Sequence, residues 1–220
     1  NPFDLKDRTA LVTGAGRGIG RATARALARS GARVIVVSRT RSQLDEVVDA
    51  IAAAGGQAVA IDADLADADS VESVVSQAEG LWSAAGIDIL VNNAAISPYV
   101  KGAEDMTTQE WRHLLDVNLD GPFELTRRLG KAMLNRGKGV VINVTSLAGA
   151  RAIPKLSAYT SSKSALTGLT RALGVEWAER GVRVNAVAPG YTATEMTAEL
   201  HKREQLRTAI EERTPIGRFA

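Results

Sequence analysis

Tyr159 and Lys163 stand four residues apart in the segment SAYTSSKSA, a spacing that sets both side chains on one face of a helix. A free phenol titrates near ~10. An ammonium beside it stabilises the phenolate and draws that value down, towards the range in which a tyrosine exchanges protons. Ser146 lies thirteen residues before Tyr159, just past the apolar run GVVINV, and can aim its hydroxyl at the same point. Tyrosine and lysine at this spacing also occur on helices that do no chemistry. Of the three tyrosines in the chain, however, only Tyr159 has such a lysine.

Six short apolar runs must position these residues: ALVTG (10–14), RVIVVS (33–38), AVAID (58–62), IDILVN (87–92), GVVINV (139–144) and RVNAVA (183–188). Runs that are apolar on both faces suit strands covered by helices on each side, so the chain is expected to form a parallel, doubly wound α/β sheet. Helical patterns fall between the runs near 18–30, 41–54, 67–85, 107–135 and 157–180. Thr107-Thr108-Gln109-Glu110 opens the long fourth helix with a capping-box pattern. No linker, repeat or low-complexity stretch interrupts 1–220, which reads as one domain.

The first run ends in Thr13-Gly14-Ala15-Gly16-Arg17-Gly18-Ile19-Gly20. Glycines here let the backbone turn tightly and approach a pyrophosphate at the N-terminus of the next helix. The spacing G-x-G-x-x-G is not met, because Ile19 falls where its third glycine would stand; T-G-x-x-x-G-x-G is met. With Ser146, Tyr159 and Lys163, this pattern resembles the short-chain dehydrogenase/reductase family, and the likeness covers nearly the whole chain.

The resemblance implies a Rossmann-fold oxidoreductase that interconverts a secondary alcohol and a ketone, with Asn118, Ser146, Tyr159 and Lys163 as its catalytic set. Tyr159 is then the general acid/base, and Lys163 also holds the nicotinamide ribose. Gly14, Gly18, Ile19 and Gly20 line the pyrophosphate, while Asp64 and Leu65 meet the adenine. Asn93 and Ala94 border a ribose, and Asn92 buttresses the sheet. Ala95 departs from the family's N-N-A-G and adds a methyl that could alter the backbone. Pro189, Gly190, Thr192 and Thr194 are expected at the nicotinamide, with 190–213 as a lid over the substrate. Family members continue beyond a segment like Arg213-Thr214-Pro215-Ile216-Gly217-Arg218-Phe219, so a C-terminal strand is expected to be missing here, which would leave 183–188 as a sheet edge. The pattern resembles both the sugar-acid and polyol reductases of the family and its 3-oxoacyl-carrier-protein reductases. Ala150 stands where gluconate-active members carry a carboxylate. Two competing readings are a non-catalytic cofactor-binding scaffold and an epimerase of the extended branch. The first is disfavoured by four occupied catalytic positions, the second by the glycine spacing and the short chain.

Asn118 also has a physical reason of its own. An α-helix bonds the N–H of residue i to the carbonyl of i−4, and Pro122 has no N–H to offer Asn118. The Asn118 carbonyl is therefore expected to need another donor, such as the water of the family's proton relay from Lys163 to solvent.

The choice of dinucleotide is legible at the end of the second run, Val37-Ser38-Arg39. A carboxylate at that place accepts from the adenosine ribose hydroxyls of NAD, and here none is present. Ser38 leaves room for a 2′-phosphate, and Arg39 and Arg17 approach it from two sides, so NADP is expected and NAD disfavoured. Bulk properties narrow the class further. A net charge of +2 gives no case for nucleic acid or an anionic membrane surface as partner. No apolar run nears the ~20 residues of a membrane span. The absence of cysteine permits a cytoplasmic location, and two distant histidines, His113 and His201, make a metal cluster improbable. The expected partners are a small ketone or alcohol and further copies of the chain, as a homo-dimer or homo-tetramer through the helices at 107–135 and 157–180.

Overall fold

The computed structural model describes residues 3–82 and 86–220, and in it the apolar runs become a single parallel sheet. Its strands are β1 (Thr9–Thr13), β2 (Arg33–Ser38), β3 (Gln57–Asp62), β4 (Ile89–Asn92), β5 (Gly139–Val144) and β6 (Val182–Val187). They lie in the order β3-β2-β1-β4-β5-β6. The order reverses direction between β1 and β4, and sheets of this kind take ligands in the crevice beyond the carboxyl ends of the strands at that point. Alternation along β1 divides the core into two layers. Leu11 faces a cluster with Leu90, Leu125, Leu129 and Met133. Ala10 and Val12 face the other, with Ala24, Leu44, Val47 and Ile51.

Helices α1 (Gly18–Arg29) and α2 (Arg41–Ala53) cover that second face, while α3 (Ala68–Gly80), α5 (Gly121–Asn135) and α6 (Ser157–Ala178) supply the first. α3 stops at Gly80, earlier than the helical pattern 67–85, whose residues 83–85 lie outside the described ones. Beyond β6 come α7 (Ala198–Lys202) and α8 (Glu204–Glu212), the body of the 190–213 segment. Among the described residues no helix is long and apolar enough to cross a membrane. β6 forms one edge of the sheet, with Val187 54% exposed.

The single helix expected over 107–135 is corrected to three pieces: α4 (Thr108–Leu115), a π turn (Asp116–Asp120) and α5. The cause is Pro122. Besides lacking an N–H, its ring would collide with the carbonyl four residues back, that of Asn118. Widening the turn relieves the clash, and the Gly121 N–H reaches five residues back to the Asp116 carbonyl. The capping box forms as its pattern implies: the Thr107 Oγ1 accepts from the Glu110 N–H at 3.2 Å, and Glu110 Oε2 accepts from the Thr107 N–H at 2.9 Å.

Candidate active site

Ser146, Tyr159 and Lys163 converge where β5 gives way to α6. Ser146 caps a short 3₁₀ turn (Leu147–Gly149), its Oγ accepting from the Ala148 N–H at 3.1 Å. The turn rests on α6 at Gly149, where a Cβ would stand 3.0 Å from the Lys163 carbonyl carbon and oxygen. The Ser146 side chain stands close enough to the Tyr159 phenol to act on it. Lys163 is 2% exposed, its Nζ donating to the Val144 carbonyl at 2.8 Å and lying 5.9 Å from the Tyr159 ring centre.

The expected electrostatics need correction. Burial holds the Tyr159 phenol above its ordinary value, and the nearby Ser146 side chain only opposes that rise. The charge of Lys163 does not overcome that rise. Burial pushes the lysine itself down from 10.5 to about 8, because an ammonium with one carbonyl partner is poorly solvated. The spacing of a tyrosine and a lysine reveals their common face and nothing of their burial.

The Asn118 side chain, 0% exposed, joins three elements. Its Oδ1 accepts from the Ile96 N–H at 2.8 Å, and its Nδ2 donates to the Ile96 carbonyl at 2.9 Å and to Ser162 Oγ at 3.2 Å. Ser162 Oγ in turn donates to the Tyr159 carbonyl at 2.8 Å. The π turn, the loop after β4 and the first turns of α6 are thus tied beneath the phenol. Asn92 ties the sheet to α5 and β5, donating to Thr126 Oγ1 and to Asn143 Oδ1, each at 2.9 Å.

Across the crevice, the glycines stand where backbone approaches too closely for any side chain. A Cβ on Gly20 would collide with the Gly14 carbonyl, and one on Gly14 would stand 2.8 Å from the Ala94 Cα. Gly14 and Gly18 also take positive φ, 62° and 52°, which glycine adopts without strain. Arg17 is exposed and Ile19 partly buried. Thr13, to which the sequence reading gave no role, holds this turn to the loop after β4: its Oγ1 accepts from the N–H groups of Asn93 and Ala94, both at 3.0 Å. Asn93 Nδ2 answers by donating to the Thr13 and Gly14 carbonyls at 2.9 and 3.2 Å. Thr13 opens the T-G-x-x-x-G-x-G pattern, but the pattern alone does not name this task. Ala95 is not among the described non-glycine residues with positive φ, so its extra methyl sits on ordinary backbone.

At the end of β2, the Ser38 hydroxyl is buried with no hydrogen-bond partner among the described residues. Arg39 extends beside it, its Nη1 3.9 Å from Asp64 Oδ2, both side chains well exposed. Leu65 points into the core rather than the crevice, leaving its backbone for any ligand. On the opposite side Pro189 accepts from the Leu147 N–H at 3.0 Å, next to Ser146. Gly190 is exposed, and Thr197 Oγ1 donates to the Thr192 carbonyl at 2.6 Å. Thr194 closes over the glycine turn, its Cγ2 3.3 Å from where a Cβ on Gly18 would stand. A bare glycine cradle, an orphaned serine hydroxyl and a flanking arginine fit a phosphate-bearing dinucleotide. Among the described residues no group of three or more His, Cys, Asp or Glu side chains could hold a metal ion.

Comparison with known proteins places this fold and sequence in one family. Residues 8–205 match the family model described as short chain dehydrogenase. Galactitol 2-dehydrogenase (L-tagatose-forming) of Cereibacter sphaeroides is 43% identical over 98% of this chain and 84% of its own. The 2-dehydro-3-deoxy-D-gluconate 5-dehydrogenase of Bacillus subtilis is 42% identical over 99% of this chain and 84% of its own. A crystal structure of a gluconate 5-dehydrogenase from Burkholderia cenocepacia, in complex with NADP and tartrate, superposes with a TM-score of 0.92. That protein is 33% identical, and the match covers 99% of this chain and 84% of the other.

Proposed function

Because the chain belongs to the short-chain dehydrogenase family, we propose that it is an NADP(H)-dependent oxidoreductase interconverting a secondary alcohol and a ketone, with Tyr159 as general acid/base. The observation that carries this reading is the meeting of Ser146 and Tyr159 beside a fully buried Lys163. When bound, the dinucleotide supplies or accepts the hydride. In the reductive direction Ser146 donates to the substrate oxygen and Tyr159 gives it a proton. Lys163 holds positive charge against the phenolate that remains, and holds the nicotinamide ribose. Asn118, at a turn where Pro122 offers no N–H, is the station from which a water returns protons towards Lys163. Gly14, Gly18, Ile19 and Gly20 cradle the pyrophosphate; Asp64 and the Leu65 backbone face the adenine; Asn93 and Ala94 border the ribose. Pro189, Gly190, Thr192 and Thr194 take the nicotinamide, and 190–213 closes over the substrate.

The substrate class is read from the relatives. Three of them are named for galactitol, a deoxygluconate and gluconate, which supports a polyhydroxylated alcohol or its ketone. A further reading concerns assembly: Trp111 on α4 and Phe123 on α5 are 36% and 39% exposed, and these faces suit contact with a second copy. A chain without cysteine suits a reducing cytoplasm.

The test is oxidation of polyols and sugar acids, and reduction of the matching ketones, followed by dinucleotide absorbance with each cofactor. Turnover with NADP and a polyhydroxylated substrate is the expected result. Tight dinucleotide binding with no turnover across the screen would favour a scaffold instead. In the same assay Arg39→Ala should raise the KM for NADPH about tenfold or more, the worth of one charge-assisted hydrogen bond, and leave that for NADH nearly unchanged.

A further inference from the structure

The start of α2 lies against the glycine turn, and one of its side chains has had no part so far. Gln43, the third residue of α2, is partly buried. Its Oε1 lies 2.9 Å from the point where a Cβ on Gly16 would stand, and Ser38 Oγ lies 3.0 Å from the same point. The amide of Gln43 and the hydroxyl of Ser38 therefore meet against the bare backbone of Gly16, where even a methyl would crowd them. That hydroxyl is the buried, partnerless one. A buried polar group without a partner carries a desolvation penalty that a ligand able to bond it removes.

The surroundings suit an anion. Thr40, at the N-cap of α2, makes no side-chain capping bond, and the first turn of α2 has no acidic residue. Its N–H groups and the positive end of the helix dipole are therefore uncompensated by side-chain charge. Two nearby arginines are already engaged. Arg21 donates to the Gly16 carbonyl at 2.9 and 2.7 Å and pairs with Glu46 at 3.2 Å. Arg41 pairs with Asp45 at 2.8 Å and Asp62 at 3.4 Å. Arg39 remains at the rim, near Asp64, while the floor is made of uncharged groups.

The geometry points to Gln43 as a specificity-determining residue: with Ser38 it floors the 2′ pocket of the dinucleotide site and donates its side-chain amide to the 2′-phosphate of NADP. The nitrogen and oxygen of the amide exchange places by a half-turn about its terminal bond, so the wall now formed by Oε1 can present Nε2. A 2′-phosphate oxygen is a charged acceptor and draws a stronger bond from that amide than the 2′-hydroxyl of NAD. This inference rests on the NADP reading above.

The experiment is equilibrium binding of NADPH and NADH, without substrate, followed by the fluorescence of the reduced nicotinamide. Gln43→Glu keeps the side chain's size but sets a carboxylate where the phosphate belongs. It should raise the Kd for NADPH about tenfold or more, on the scale of one hydrogen bond to a charged group, while the Kd for NADH stays within about threefold. Gln43→Ala, which only removes the donor, should weaken NADPH less and again spare NADH. Unchanged NADH binding is also the evidence that both variants are folded. Equal affinity of the unmutated protein for the two dinucleotides would remove the NADP reading and this role with it. A preference for NADPH that survives undiminished in both variants would overturn the role of Gln43 alone. So would equal losses for the two dinucleotides, which would mark a structural side chain.

Discussion

Tyr159→Phe should lower turnover by about 10²–10⁴-fold, the usual worth of a positioned general acid or base, and leave dinucleotide affinity within a few-fold. The substitution removes one oxygen, which burial holds in its protonated form beside Ser146. The ring stays, so the packing of α6 against the 3₁₀ turn is kept. Ser146 keeps its bond from the Ala148 N–H, so its hydroxyl remains placed. The raised phenol also sets a direction for pH. Reduction consumes the protonated phenol and should be insensitive to pH near neutrality. Oxidation needs the phenolate and should speed up as pH rises. A phenylalanine variant that keeps more than about a tenth of the rate would remove Tyr159 as the proton donor, since such a loss is far below what general acid catalysis supplies.

How far the sequence reaches can be judged element by element. The β1–glycine turn–α1 unit was legible because its glycines answer a steric demand that the structure displays directly, as at Gly20 against the Gly14 carbonyl. The strands were legible from their apolar runs, since a sheet covered on both faces leaves no alternation to confuse them. Pro122 was legible as a local disturbance, but whether a helix kinks, ends or widens to a π turn depends on its neighbours in space. The pairing of Tyr159 with Lys163 was legible as a shared face. Their proton affinities were not, because desolvation by β5 and the 3₁₀ turn outweighs one charge some distance away. Thr13 and Gln43 stayed hidden for another reason. Each acts across a contact between segments remote in sequence, Thr13 with the loop after β4 and Gln43 with Gly16.

Lys163→Met should abolish most of the activity and yet raise the melting temperature at pH 7. Lys163 is buried, and burial lowers it from 10.5 to about 8. At pH 7 both the folded and the unfolded chain carry the ammonium, so the fold bears the whole penalty of burying it. At 1.36 kcal/mol per pK unit, that penalty is about 3 kcal/mol. Methionine fills nearly the same volume without charge. It leaves the Val144 carbonyl without the bond it now accepts at 2.8 Å, a loss of about 1 kcal/mol. The difference, about 2 kcal/mol, corresponds to a rise of several degrees in a chain of this size. The pH dependence separates this cause from better packing. Below pH 8 neither state releases the proton, and the gap between variant and parent is at its widest. Between about 8 and 10.5 the folded parent sheds its proton while the unfolded chain keeps it, so the parent gains stability with rising pH and the gap closes. A gap that is constant from pH 7 to 10 would place the gain in packing. A lower melting temperature at pH 7 would mean that the Val144 bond and the surrounding dipoles stabilise the ammonium more than burial disfavours it. In the expected outcome the lysine weakens the fold that holds it, as a charge kept for chemistry in an apolar site must.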